Sequence, residues 1–202
     1  MRNRALVLGV LAALLHGSAY TLYNWQIWTG ASRPNAVSWA IWAAVAVINL
    51  VSFEKMTDRI KALQFWIGTL YSIATFLNAL LVGTFSWPTT LEWSVAAIGG
   101  GSAFVLFYFR HAAIANLLII VTAIIGMIPT ASGVWVEPNL EAPVPWMLWS
   151  LAFGCTLTNL LTRTPSERTT ARIKLGDWAW VPVFSMSIMI VLHLLIVPLC
   201  LR

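Results

Sequence analysis

Seven long stretches of the chain contain no Asp, Glu, Lys or Arg, and this pattern constrains the fold more than any other feature. A helix of about 20 apolar residues spans the roughly 30 Å of hydrocarbon in a bilayer. Each stretch therefore predicts one transmembrane helix, and the sequence predicts an all-α integral membrane protein. The stretches cover residues 5–32, 34–53, 62–91, 93–109, 111–136, 142–162 and 178–201, with helix cores at 5–23, 37–53, 62–83, 93–109, 112–128, 145–161 and 178–199.

The composition supports a membrane protein and excludes several other classes. Of the 202 residues, 59% are hydrophobic and 9% are charged, whereas soluble domains carry about 25% charged residues. We therefore expect the lipid bilayer as a partner and no nucleic-acid partner, despite the net charge of +5. The sequence offers no nucleophilic triad, phosphate-binding glycine loop or metal-ligand spacing. Accordingly, we expect no enzyme, no catalytic residue, no metal and no cofactor, and the sequence leaves a homo-oligomer open.

The basic residues divide unevenly between the two sides that seven crossings define. Ten of the twelve fall on the side of the N-terminus, and only Arg33 and Arg202 fall on the other. Cytoplasmic loops of membrane proteins carry an excess of Lys and Arg. The split predicts a protein of the plasma (inner) membrane with a cytoplasmic N-terminus and an external C-terminus. The basic segment 162–177 is interpreted as a solvated cytoplasmic loop.

An internal repeat is visible in the tryptophans. A shift of 107 residues places Trp28 on Trp135, Trp39 on Trp146 and Trp42 on Trp149. In both copies the pattern predicts a loop, at 25–28 and at 132–135, that leads through prolines into the start of a helix. Helices one and two then correspond to helices five and six, and helix three corresponds to helix seven. The fourth helix remains as a linker.

This correspondence predicts two parallel three-helix repeats joined by a linker helix, a 3+1+3 arrangement. Residues 1–86 form the first repeat, 87–110 the linker and 111–202 the second repeat. Parallel repeats related by an axis along the membrane normal occur in transporters, whose substrate site lies between the repeats near mid-membrane.

The motifs in the first repeat resemble a known family. The run Tyr20-Thr21-Leu22-Tyr23-Asn24-Trp25, a short polar loop, then Val37-Ser38-Trp39-Ala40-Ile41-Trp42 and Asn49 resembles a PQ-loop repeat, with Tyr20-Thr21 in place of the Pro-Gln pair. The 3+1+3 plan is similar to that of the SWEET sugar facilitators and, more distantly, the PnuC vitamin transporters. The resemblance implies a transporter in which an Asn on the third helix of each repeat holds substrate. Asn78 matches this role, and His193 occupies the partner position.

Polar and aromatic residues within the predicted helices supply the other candidate substrate-binding residues. Polar side chains in a bilayer usually pair with each other or face a cavity. The repeat maps Asn49 onto Thr156 and Ser52 onto Asn159, so each repeat presents a similar polar rung, and Asn49 and Asn159 are the candidates from it. Trp42 and Trp149 lie about 7 Å into their helices, each on one face with the Trp three residues earlier, Trp39 or Trp146. These two faces could stack a flat or sugar-like solute, although hydrogen bonds between helices and tight packing explain the same residues.

The absence of Asp and Glu from all predicted helix cores predicts the solute and the mechanism. Without a buried carboxylate to relay protons, we expect facilitated diffusion of a small neutral polar solute, sugar- or vitamin-like, by alternating access between the repeats. Two alternatives remain. The chain could be a non-transporting structural, regulatory or receptor-like module with a transporter-like fold, or His16 and His193 could ligate haem.

The predicted orientation can be tested with reporter fusions. A reporter that is active only outside the cytoplasm should be active when it is fused after Arg202, and inactive when it is inserted within segment 162–177. Because the charge bias sets the orientation, the reverse pattern of activity would contradict the prediction.

Overall fold

The computed structural model describes residues 2–32, 34, 36–82 and 87–202, and Arg33, one of the two predicted external basic residues, lies outside them. The described chain is all-helical, and seven of its helices are long and apolar enough to cross a membrane. This confirms the predicted fold class. The helices are α1 (Arg2–Thr29), α2 (Ala36–Met56), α3 (Arg59–Val82), α4 (Thr90–Phe107), α5 (Ala112–Val136), α6 (Pro143–Leu161), the short α7 (Pro165–Leu175) and α8 (Val181–Cys200).

Three segments predicted as loops are largely helical in the structure. The predicted loops at 25–28 and 132–135 are the last turns of α1 and α5. The first run contains no helix-breaking residue, so α1 continues until Gly30, whose φ of 76° requires a residue without a side chain. In α5 the helix continues past Pro129, as transmembrane helices tolerate proline when neighbouring groups satisfy the freed carbonyl.

The third segment is the predicted solvated loop, most of which is helix α7. Its sequence begins with a capping box, in which Glu167 N donates to Thr164 Oγ1 (3.2 Å) and Thr164 N donates to Glu167 Oε2 (2.7 Å). Pro165 occupies the first turn, where its missing N–H costs no hydrogen bond. The reading of this segment as a loop was wrong because it overlooked this helix-start signal.

The transmembrane helices pack in the same order in both halves of the chain. Helix α3 packs against both α1 and α2, and α8 packs against both α5 and α6. The halves meet where α1 contacts α6 and where α2 contacts α5, and α4 packs against α5 and α2. The first and second helices of each half are thus separated by the third.

Two buried polar networks join the halves. Asn116 on α5 donates to Asn49 Oδ1 (2.9 Å) and Ser52 Oγ (3.2 Å) on α2, and its carbonyl oxygen accepts from Ser185 on α8.

In the other network, Thr156 on α6 donates to Gln64 Oε1 on α3 (2.6 Å), and the Gln64 amide lies 3.2 Å from Nδ1 of His16 on α1. Each network links three helices, and the predicted repeat maps one helix set onto the other.

An ion cluster ties α7 to the bundle on the face that carries the N-terminus. Lys61, only 2% exposed, contacts Asp58 and donates to Glu167 Oε1 (2.8 Å). The hydrogen bond from Lys61 lowers the pKa of Glu167 to about 2. The pair therefore stabilises the fold above the ordinary pKa of a glutamate, and this stabilisation is lost only as the pH falls towards 2. The cluster therefore joins the start of α3 to α7.

Replacement of Glu167 by Gln should destabilise the fold. Glutamine still serves as the capping-box acceptor, so the variant removes only the charge that faces the Lys61 ammonium. The free energy of unfolding in detergent at neutral pH should fall by about 1.5–3 kcal/mol, the contribution of a hydrogen bond to a charged group. Glu137→Gln is the matched control, because Glu137 is exposed; equal stability of the two variants would contradict the role of the ion pair.

Candidate functional site

A cavity of about 410 Å³ lies between the two halves of the chain. Its walls come from α1, α2, α3, α5, α6 and α8, with Thr89 and Glu92 from the start of α4. It extends from the connections on the C-terminal face, at Pro34, Thr89 and Glu141, down to His16 and Asn49. Its volume falls within the range of sites for small molecules.

Aromatic side chains form most of the upper wall. Trp39 and Trp42 contribute from α2, and Trp146 and Trp149 contribute from α6. Tyr20 of α1 has its ring centroid 5.0 Å from that of Trp149 and 6.2 Å from that of Trp39. The contact between Tyr20 and Trp149 joins the two halves of the chain. Other tryptophans, such as Trp25 and Trp87, are exposed, as expected for an interfacial belt.

Two glycines leave room for the rings of Trp42 and His16 in the cavity wall. A Cβ on Gly126 of α5 would lie 2.8 Å from the indole of Trp42, and a Cβ on Gly68 of α3 would lie 2.7 Å from Nε2 of His16. Both distances are too short for a real contact, so alanine at either position would displace the ring. The small residues thus set where these two rings stand.

The two membrane histidines lie against one phenylalanine. The Phe153 ring is centred 5.4 Å from His16 and 5.1 Å from His193. His193 Nδ1 lies 2.7 Å from the Met189 carbonyl oxygen, which fixes its ring by a hydrogen bond within α8. A haem held between these histidines would have to displace Phe153. Across the described residues, no group of three or more His, Cys, Asp or Glu side chains could hold a metal ion.

The floor of the cavity is aromatic. Phe65 and Phe153 line it, and Phe53 packs beneath, with its ring centroid 4.2 Å from that of Phe65. All three rings are almost fully buried. No described residue from the N-terminal face lines the cavity, whereas Pro34, Thr89 and Glu141 line it on the C-terminal face.

Two carboxylates line the mouth, which corrects the expectation that no acidic residue lies within a helix. Glu92 is in the first turn of α4, only 7% exposed, and accepts hydrogen bonds from Thr89 and from Ser38 on α2. The predicted fourth helix began at residue 93, one residue too late to include it. Glu54, at the end of α2, is also helical, but it does not line the cavity.

Glu141, just before α6, is the second carboxylate. Its Oε1 accepts from the Tyr23 hydroxyl (3.0 Å), whereas its Oε2 is buried without a hydrogen-bond partner. Burial raises the pKa of Glu141 to about 7, against the opposing effects of Tyr23 and the nearby Trp146 indole. Burial therefore favours the neutral form of this carboxyl more than in an exposed glutamate.

Six of the eight predicted binding residues line the cavity: Trp39, Trp42, Asn49, Trp146, Trp149 and His193. The other two do not. Asn78 donates to Asn24 Oδ1 (2.6 Å) between α3 and α1, and Asn159 donates to the Ala5 carbonyl (2.9 Å) between α6 and α1. In this conformation both amides bridge helices, the alternative that the sequence had left open.

Several lining residues were not predicted, above all Tyr20, Tyr23, Glu92 and Glu141. The tyrosines stood in the motif that carried the family resemblance, three residues apart on one helical face, and this spacing was a usable signal. The carboxylates gave a weaker signal, because both fall in short segments that separate the apolar stretches.

Comparisons with protein-family models, curated proteins and solved structures find no match to this chain. The cavity and the residues that line it therefore carry the functional argument.

Proposed function

We propose that the protein is a transporter that moves a small polar solute across the membrane by facilitated diffusion, with the central cavity as its binding site. In this proposal it acts in the plasma (inner) membrane, with the N-terminus in the cytoplasm and the cavity facing outside. The observation that carries the proposal is a cavity of about 410 Å³ that reaches from the C-terminal face to mid-membrane, with no described lining residue on the N-terminal face. A site accessible from one side at a time is what alternating access requires.

The repeat supports a rocking motion. Residues from both halves of the chain form the cavity wall, and the two polar networks connect three helices each across the boundary between them. Movement of one half against the other would widen the closed face and narrow the open one. The contacts that would have to separate are the Phe53, Phe65 and Phe153 floor and the ion pair between Lys61 and Glu167.

Facilitated diffusion fits the position of the carboxylates. Glu92 and Glu141 lie at the mouth, and the deeper wall is lined by neutral groups such as Thr69, Ser72 and Asn49. In the described part of the chain, no acidic side chain lines the route between mouth and floor. The same carboxylates remove the basis for expecting a neutral solute, since that expectation rested on helices free of acidic residues.

The alternative is a non-transporting membrane module. Such a module needs no internal site and would be expected to have a solid apolar centre. The cavity favours transport, and Asn49 lines it as the sequence predicted. The amides of Asn78 and Asn159 do not strengthen the argument, because in this conformation they face other helices.

A side chain that fills the cavity should block transport. Ala46 on α2 lines the cavity, so Ala46→Phe should abolish uptake into proteoliposomes of any solute that the wild type takes up from a mixture of sugars, nucleosides, vitamins and amines, read by mass spectrometry. Val47→Phe is the matched control, because Val47 is exposed on the outer surface of the same helix. Wild-type protein that takes up none of these solutes faster than empty vesicles would overturn the proposal.

Uptake should not depend on a proton gradient. With the membrane potential clamped at zero and the external pH held constant, so that the protonation of Glu141 at the mouth does not change, an inward proton gradient set by a higher internal pH should leave the initial uptake rate unchanged. No deep carboxylate is present among the described lining residues to carry the proton. Accumulation of the solute above its external concentration under this gradient would contradict facilitated diffusion.

Asn78→Ala should lower stability and leave solute binding intact. The substitution removes the hydrogen bond to Asn24, and membrane hydrogen bonds between helices contribute about 1 kcal/mol or less. Thermal unfolding in detergent, measured with and without a transported solute, separates the two effects. A variant with normal stability but no stabilisation by the solute would show that Asn78 binds substrate in another conformation.

A further inference from the structure

The upper cavity holds buried polar atoms that the protein itself leaves without partners. They are Oε2 of Glu141 and the indole nitrogens of Trp146 and Trp149, none of which has a hydrogen-bond partner. The Trp146 indole lies near enough to Glu141 to lower its pKa, but it does not form a hydrogen bond with it. Trp146 and Trp149 are 7% and 4% exposed, and all three side chains line the cavity. More than nine in ten buried polar groups in proteins are hydrogen-bonded. The cavity therefore holds one carboxylate oxygen and two N–H donors without hydrogen-bond partners. We infer that a bound ligand supplies those partners.

The charge of the lining indicates the sign of that ligand. Glu92 and Glu141 both line the cavity, and no Lys or Arg does so among the described residues. Both oxygens of Glu92 already accept hydrogen bonds, so Glu92 contributes charge rather than a free contact. Glu141 contributes both charge and a free oxygen. The mouth is therefore negative and attracts cations.

The rings around Glu141 favour one kind of cation. Tyr23, which donates to Glu141, has its ring 5.4 Å from that of Trp39 and 5.7 Å from that of Trp149. Trp146 lies 5.2 Å from Trp149, centroid to centroid. Aromatic faces attract quaternary ammonium groups, whose alkyl substituents spread the charge and weaken hydration, so that they enter apolar sites that exclude a metal cation. We call Tyr20, Tyr23, Trp39, Trp146 and Trp149 the aromatic cluster.

We propose that the cavity binds a small organic cation, an alkylammonium that also carries a hydrogen-bond acceptor. Its cationic nitrogen lies between the Glu141 carboxylate and the aromatic cluster, and its acceptor takes the indole N–H groups. This inference rests on the proposed function in taking the cavity as the transport site, and it adds the substrate class.

A matched pair of probes tests the charge. Choline carries a trimethylammonium group and a hydroxyl acceptor; in its neutral carbon isostere a tert-butyl group replaces the trimethylammonium group and the shape is kept. Titration of the purified full chain, read by tryptophan fluorescence and by melting temperature, should give a dissociation constant for choline at least about tenfold lower than for the isostere. Equal binding of both probes, or binding of neither, would overturn the proposal.

A pair of variants tests the position. Glu141→Gln keeps an acceptor for Tyr23 and removes the charge, so choline binding should weaken about tenfold and the preference over the isostere should disappear. Glu137→Gln, four residues earlier and exposed, should bind as the wild type does. An unchanged preference in Glu141→Gln would rule out Glu141 as the cation partner. The wild-type comparison of the two probes stands even where a variant does not fold.

The inference and the proposed function can fail separately. If choline binds but does not enter proteoliposomes, the cation site is supported and the transport of organic cations is overturned. If a sugar or nucleoside is taken up but choline does not bind, the transport function is supported and the cation site is overturned.

Discussion

The constraint on which this structure depends is that the bilayer offers no water to polar groups. Each helix satisfies its own backbone, but side chains such as Asn116, Gln64 and Thr156 must find partners in neighbouring helices. They do so in two networks that cross between the halves of the chain. Because the partners lie on different helices, satisfying them also fixes which helices meet.

The same constraint distinguishes the cavity from the rest of the bundle. Elsewhere in the described bundle, buried polar side chains are largely paired, as Asn78 is with Asn24. In the upper cavity three polar atoms from Glu141, Trp146 and Trp149 remain unpaired although they are buried. The cavity is also more negative at its mouth, where Glu92 and Glu141 lie, than along its deeper wall, which neutral groups line.

Much of the candidate site could be predicted from the sequence, because the repeated tryptophans indicated which helix faces lie near each other. Trp39, Trp42, Trp146 and Trp149 share spacing and context in both halves, and all four line one cavity. Asn78 was harder to place, because a membrane amide satisfies its hydrogen bonds equally well against a helix or a solute. The acidic residues were missed for a different reason. Glu92 and Glu141 stand at interruptions of the apolar stretches, and whether such residues face water or a cavity depends on how helices from distant parts of the chain pack.

The sequence by itself determined the number of helices that are long and apolar enough to cross a membrane, since apolar length and helical periodicity are local properties. It also contained the capping signals that start α7. Tertiary structure alone decided which polar groups are paired and which remain free. That depends on contacts over long separations, such as the 118 residues between Tyr23 and Glu141. Packing thus places the carboxylates of Glu92 and Glu141, which the sequence assigned to connections between helices, at the mouth of a cavity.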